Sequence, residues 1–212
     1  MARNLKPKCK QERREGVKLG LKGEKSFSPK HPIIKRPYPP GQHGPSANMK
    51  MKKVSGYGIR LREKQKVKKI YRLLEKEFRR YYDDAFRAQG VTAENLIKLL
   101  ESRFDNVAYR LGYADSRDAA RQLVRHGHLQ INGKKCDIPS YRTKVGEVIT
   151  VKKSVLDKPY WKVRAEKLGK IDLPGWLTMN SDTFTGKIVA QPEKNDLSVP
   201  FDPALIIEFY SR

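Results

Sequence analysis

Residues 116–133 read SRDAARQLVRHGHLQING, and two periodicities meet inside them. Ser116 is a good acceptor for the first-turn amides of a helix, and Gly127 supplies the left-handed residue on which helices end. Between them, at about 100° per residue, Ala119, Ala120, Leu123 and Val124 fall within about 140°. Arg117, Arg121 and Arg125 share an arc of about 80° elsewhere, so one face packs and another presents three guanidinium groups. After Gly127 the period drops to two. Leu129 and Ile131 alternate with polar residues, Asn132-Gly133 is a strong hairpin signal, and Val145–Val151 reads as a further strand rich in β-branched bulk. A helix runs into a small antiparallel sheet, which sets the class as α+β.

Outward from this centre the chain is mainly helical. Thr92 caps a helix with Leu96, Leu99, Leu100 and Phe104 on one stripe, and Asp105 caps a short one ending at Gly112. Val67, Ile70, Tyr71, Leu74, Phe78 and Tyr81 recur at spacings of three and four, which predicts one long amphipathic helix from about Ile59 to Ala88, stopped by Gly90. Its other faces carry Arg62, Lys64, Lys66, Lys68, Lys69, Arg72, Lys76, Arg79 and Arg80. From Met1 to about Lys53, frequent prolines and glycines without periodicity predict an extended basic arm with one short helix near Lys10–Glu15. Downstream of Lys153 come a helical stretch near Tyr160–Leu168, a loop around Pro174-Gly175-Trp176 and a terminal strand, Leu205–Tyr210, returning to an existing core. The expected organisation is a mostly helical basic domain over 1–90 joined by 190–212, with 91–189 inserted and an RNA-binding module at about 102–165.

Charge narrows the function. The 212 residues hold 46 Lys and Arg against 23 Asp and Glu, a formal net charge of +23. Residues 1–89 carry 26 basic and 8 acidic side chains, or +18, so the first two fifths of the chain hold most of the excess. Such a field attracts polyanions and, by releasing condensed counterions, supplies salt-dependent affinity for a phosphate backbone. A membrane is a poor partner, because no run nears the roughly 18 apolar residues of a span and the basic region lacks a lipid-facing helix. Residues 1–10 show no apolar leader core, and a cytoplasmic protein is expected. Cys9 and Cys136 make neither a disulfide framework nor a four-thiolate metal site.

Catalytic patterns fail one by one. Gly127–Lys135 is not a phosphate-binding loop: five residues separate the glycines, Lys135 stands where Ser or Thr is required, and the order is helix to strand. His126-Gly127-His128 lacks a third metal ligand, and a helix-ending histidine beside arginines suits a phosphate or ribose contact. No Ser or Cys pairs with a His and an acid, and Asp83-Asp84, Asp105 and Asp115 read as solvated or turn residues, so no enzyme is expected. RPYPPGQHG at Arg36–Gly44 is more informative. It is a stiff extended backbone with Tyr38 and His43 as stacking surfaces and Arg36 as a phosphate clamp, suited to the irregular surface of folded RNA.

These blocks resemble the bacterial-type family of small-subunit ribosomal protein number four along nearly the whole chain. The matching stretches are RPYPPGQHG, LREKQKVKKIY at Leu61–Tyr71, LESRFDNVAYRLG at Leu100–Gly112, ARQLVRHGHLQINGKKCDIPSY at Ala120–Tyr141 and LIIEFYSR at Leu205–Arg212. The module from about Ser102 to Lys152 also occurs in other RNA-binding proteins, whereas the arm and the ending are the ribosomal family's own. The resemblance implies a structural binder of small-subunit (16S) ribosomal RNA that recognises a multi-helix junction and nucleates assembly of the 30S body. It further implies contact with ribosomal protein number five, an influence on translational accuracy, a position near the messenger entry channel, and no homo-oligomer in the assembled subunit. The candidate RNA contacts are Arg36, Tyr38, Gln42 and His43 in the arm, Arg60, Lys64, Lys68, Arg72, Arg79 and Arg80 on the long helix, and Arg117, Arg121, Gln122, Arg125, His126 and Lys134 in the small domain.

Many family members hold an amino-terminal zinc with four cysteines. The matching positions here are Cys9, Glu12, Ser26 and His31, so no stoichiometric zinc and no other cofactor is expected, with the arm ordered by RNA instead. The rival reading is a DNA- or RNA-binding regulator that uses helix 116–126 for recognition, although no dimer seam accompanies it.

Overall fold

The computed structural model describes residues 4–47, 54–169, 171–193 and 200–211. Parts of the expected arm (1–3, 48–53) and of the C-terminal segment (194–199, 212) lie outside the described residues. The chain forms two compact units, Met1–Leu96 with Val199–Arg212, and Ile97–Ser198.

In the first unit the arm is more structured than its proline content predicts. The expected short helix is α1 (Lys8–Glu15), which ends on Gly16 at φ 70°. It is followed by α2 (Glu24–Phe27), α3 (Pro32–Lys35) and α4 (Gly44–Ala47). These short turns start where local chemistry allows: His31 accepts a hydrogen bond from the Ile33 N–H, and Pro32 occupies the first helical position. Gly44 is required, because a Cβ there would sit 2.0 Å from the Pro39 carbonyl oxygen.

The single long helix expected over 59–88 is two helices, α5 (Gly56–Ile70) and α6 (Glu75–Arg87). Ser55 caps α5 by accepting from the Gly58 N–H at 3.2 Å. The break falls at Arg72, whose φ of 58° places a non-glycine residue in the left-handed region. Long-range bonds hold it there: its guanidinium donates to the Gln11 side chain at 3.2 Å and to the Asn4 carbonyl. Both helices still bury the predicted apolar stripe, including Val67, Ile70, Tyr71, Phe78 and Tyr81.

The expected terminal strand is instead a helix, α11 (Pro203–Tyr210). Asp202 accepts from the Ala204 N–H at 2.9 Å and Pro203 stands at the first helical position, two start signals that outweigh the apolar run after them. It packs on α5, with Ile206 fully buried and Arg60 Nε donating to Glu208 Oε2 at 2.5 Å.

The unit boundary falls inside α7 (Thr92–Glu101). In the second unit α8 (Phe104–Arg110) precedes α9 (Arg117–Arg125), and Ser116 caps α9 through the Ala119 N–H as its sequence predicts. Asp105 is not the cap of α8; it lies in the first turn with its carboxylate turned to two arginines. The sheet follows, with β1 (Leu129–Ile131) and β2 (Lys134–Lys135) joined at Asn132-Gly133, both at positive φ, and β3 (Val148–Val151) antiparallel to β1. After a 3-10 turn at Lys153–Val155 and α10 (Pro159–Leu168), a second hairpin, β4 (Leu177–Asn180) and β5 (Thr185–Ile188), extends the sheet to the order β2-β1-β3-β5-β4.

Helices cover one face of the sheet. Phe104, Val107, Leu111, Ala120 and Val124 pack with Leu129, Ile149, Val151, Trp161, Trp176 and Ile188 in one cluster. Gly186 lets β5 approach α8 closely, since a Cβ there would meet Leu111 Cδ1 at 2.5 Å. Tyr113 anchors the same layer, with its hydroxyl 2.9 Å from the carbonyls of Ile149 and Phe184. Burial raises its pKa far above the ordinary phenol value, so the hydroxyl keeps its proton.

Candidate nucleic-acid interface

The arm presents its contact groups because a residue outside the RPYPPGQHG stretch holds its backbone. Arg13 of α1 donates through Nε to the carbonyls of Arg36 and Tyr38, each at 3.1 Å, and its guanidinium lies 4.8 Å from the centre of the Tyr38 ring. A single side chain therefore fixes an extended proline-rich strip with few amides of its own to bond. The side chains of Arg36, Gln42 and His43 are exposed, and Tyr38 is half-buried under Arg13. Sequence reasoning missed Arg13, whose role needs partners more than 20 residues away.

Across α5 and α6 the cations divide into two groups. Lys64 is buried at 6% exposure and shares Glu75 with Lys68, both at 2.7 Å, while its ammonium lies 4.3 Å from the centre of the Phe209 ring. Burial pushes the Glu75 carboxyl up, but hydrogen bonds from Lys64, Lys68 and Tyr210 outweigh it and hold the pKa down to about 2. Lys69 pairs with Glu15, and Arg60 with Glu208. Lys64 and Arg72, both among the expected RNA contacts, are therefore buried and engaged inside the unit. The cause is the packing of α11 and α1 on α5, with Glu75 at the start of α6 supplying the carboxylate. Arg79 and Arg80 are exposed; Arg79 also pairs with Asp83 at 3.0 Å, whereas no partner engages the Arg80 side chain among the described residues.

The same division occurs on α9. Arg121 is 4% exposed, and its Nη1 donates to Asp105 Oδ2 at 3.1 Å. The fully buried Arg103 grips the same carboxylate through Nε at 3.0 Å and Nη2 at 2.8 Å. Arg117 donates to Asn106 Oδ1 at 2.7 Å and lies over Tyr109, its CZ 4.6 Å from the ring centre. The expected face of three guanidinium groups is thus reduced to one: Arg125 is exposed and the other two are drawn into α8. The reason is that α8 supplies Asp105 and the end of α7 supplies Glu101, buried carboxylates that need cationic partners. Arg125, His126, Gln122 and Lys134 remain exposed around the end of α9 and the first hairpin, with Lys135 and Lys158 beside them.

Cys9, Glu12 and His31 do come together, with ligand atoms within 4.8 Å of one another. Glu12 and His31 are otherwise engaged. Glu12 is fully buried; its Oε1 accepts from the N–H groups of Leu19 and Leu21 at 3.2 and 3.3 Å, and its Oε2 lies 2.9 Å from His31 Nε2. His31 Nδ1 accepts from the Ile33 N–H, so Nε2 carries the hydrogen that Glu12 receives. Ser26 Oγ, the other position matching a family ligand, accepts from the Lys22 N–H at 3.0 Å. A tetrahedral zinc needs four donors and finds one uncommitted thiol, so these residues do not fit it.

The arrangement can neutralise phosphates and stack bases. Comparison with known proteins agrees with that chemistry. The family described as the Ribosomal protein S4/S9 N-terminal domain matches residues 3–101, and the S4 domain matches residues 102–149. The chain is 50% identical to the small ribosomal subunit protein uS4 of Clostridium tetani and 48% identical to that of Caldicellulosiruptor saccharolyticus, in each case over 212 residues and the full length of both proteins. The uS4 protein of Clostridium beijerinckii is 50% identical over the same span. The chain therefore belongs to the uS4 family of small ribosomal subunit proteins.

Proposed function

We propose that this protein is a structural, non-enzymatic component of the cytoplasmic small ribosomal subunit that binds small-subunit ribosomal RNA at a multi-helix junction and nucleates folding of the subunit body. The observation that carries the reading is the division of its cations. Buried arginines and lysines are matched to carboxylates within each unit, while Arg36, Arg80, Arg125, His126 and Lys134 stand exposed with no carboxylate partner among the described residues. Unmatched surface cations are what a phosphate backbone requires, and their spread over both units suits a partner with several helices. Each unit grips a different RNA helix. Contact with ribosomal protein number five, a position near the messenger entry channel and an influence on accuracy form part of the same proposal. A regulator reading duplex DNA through α9 has little support, since two of its three arginines are engaged inside the unit.

Chemical probing of small-subunit ribosomal RNA with the full chain tests this. Protection confined to the helices that meet at one junction is the expected result, and protection spread evenly along the RNA would overturn it.

A further inference from the structure

The end of α9 is built around two imidazoles. The His126 N–H bonds to the Gln122 carbonyl at 2.9 Å, Gly127 at φ 67° donates to Val124, and the His128 N–H closes back on Leu123 at 3.1 Å. This left-handed stop throws both rings to one corner, with centroids 6.2 Å apart. His126 is exposed. His128 is half-buried against Trp161 of α10, with 6.3 Å between the ring centres, and its Nδ1 is shut off from solvent without a hydrogen-bond partner.

Among the described residues, lysines from several elements lie close to His128. Lys135 of β2 lays its side chain over Gly127, its Cε 2.7 Å from where a Cβ would be. Lys158, just before α10, and His126 on α9 both act on the His128 ring electrostatically. Lys152, just after β3, donates its backbone N–H to the His128 carbonyl at 2.8 Å, and its side chain is exposed. Burial, then Lys158, then His126 all disfavour the imidazolium and push the His128 pKa below the ordinary value. With Nδ1 closed off, the ring can meet an anion and take up a proton only at Nε2, and burial and the nearby lysine disfavour that proton in the free protein.

We infer that the corner formed by His126, His128, Lys135 and Lys158 holds an RNA backbone phosphate, and that His128 takes up a proton as the phosphate arrives. The inference rests on the RNA-binding reading above and adds a regulation to it. The phosphate cancels the repulsion from Lys158 and His126, so the His128 pKa is higher in the complex than in the free protein. Affinity therefore increases as pH falls through the interval between the two values, by at most about tenfold per pH unit for one proton.

The test measures affinity of the full chain for small-subunit ribosomal RNA, with transfer RNA as competitor, between pH 8 and pH 6. Wild type should tighten by about threefold to tenfold across the range, and His128→Gln should lose most of that slope. In a second measurement, histidine-labelled protein is titrated by NMR alone, with a fragment of the ribosomal RNA, and with inorganic phosphate. The His128 midpoint should rise with RNA and move little with inorganic phosphate. Equal slopes for both proteins, an unmoved midpoint, or an equal shift with inorganic phosphate would overturn the inference while leaving selective RNA binding intact. Loss of selectivity over transfer RNA at every pH would overturn the functional reading itself, and this inference with it.

Discussion

Replacing Asp105 by alanine is expected to unfold the second unit far more readily while leaving its exposed cations in place. Asp105 is 5% exposed and receives three hydrogen bonds, two from Arg103 and one from Arg121, guanidinium groups that are themselves 0% and 4% exposed. Removing one partner of a buried ion pair costs about 3–5 kcal/mol, because the remaining charge is left in a low-dielectric site. Arg121→Ala is milder, since Asp105 keeps both bonds from Arg103, and the loss of one hydrogen bond to a charged group costs about 1.5–3 kcal/mol. Both tryptophans, Trp161 and Trp176, are buried in the core of this unit, so intrinsic fluorescence during urea unfolding reads its stability alone. With a urea slope of about 2 kcal/mol per M, Asp105→Ala should lower the midpoint by about 2 M and Arg121→Ala by about 1 M. A double-mutant cycle between the two positions should give a coupling of about 1–3 kcal/mol. The exposed Arg125 provides the contrast: Arg125→Ala should keep the wild-type midpoint and lower the salt slope of RNA binding by about one. If Arg121→Ala kept full stability but lost RNA affinity as Arg125→Ala does, its guanidinium would be facing RNA and the assignment of the buried triad would be wrong.

Other expectations are narrower. Glu75 titrates in the fold at about 2, below its unfolded value of about 4.5, so its stabilising effect is complete above pH 4.5 and is lost as pH falls towards 2. Thermal melts followed by circular dichroism should find Glu75→Gln less stable than wild type at pH 7, with the gap closing between pH 5 and pH 2; a constant gap would mean that Lys64 and Lys68 do not depend on it. Gly186→Ala forces a methyl group against Leu111 and should cost about 1–3 kcal/mol in the fluorescence assay, a result contradicted by an unchanged midpoint. Elemental analysis of chelator-washed protein should find far less than one zinc per chain; a full equivalent would mean that Glu12 and His31 give up their hydrogen bonds to a metal.

What the sequence conveys about this molecule depends on how local each signal is. The Ser116 cap, the Gly127 stop and the Asn132-Gly133 turn act over a few residues, and all three stand where the sequence puts them. The break at Arg72 was illegible, because a left-handed arginine is held by residues about 60 and 70 positions earlier. The apolar run Leu205–Tyr210 is short enough to suit a strand or a helix, and the deciding signal was Asp202-Pro203 just ahead of it. The second hairpin is hard to read because Ser181–Phe184 forms a four-residue link without the usual turn dipeptides, and Phe184 itself adopts φ 50°. Among candidate contacts, helical arcs correctly group arginines on a face but do not reveal that α8 brings carboxylates to it. Lys64, Arg72, Arg117 and Arg121 stand among the contacts that the resemblance implies, and the fold engages their charge internally.

The central claim, that the exposed cations form a shaped site for folded RNA and not merely a basic surface, is tested most directly by competition. Affinity for small-subunit ribosomal RNA at near-physiological salt is measured against excess duplex DNA and transfer RNA. A shaped site should favour the ribosomal RNA by about 10³ or more, the lower bound usual for specific over non-specific binding. Equal affinity for all three, with the same steep salt dependence, would reduce the protein to a charged surface and contradict the account.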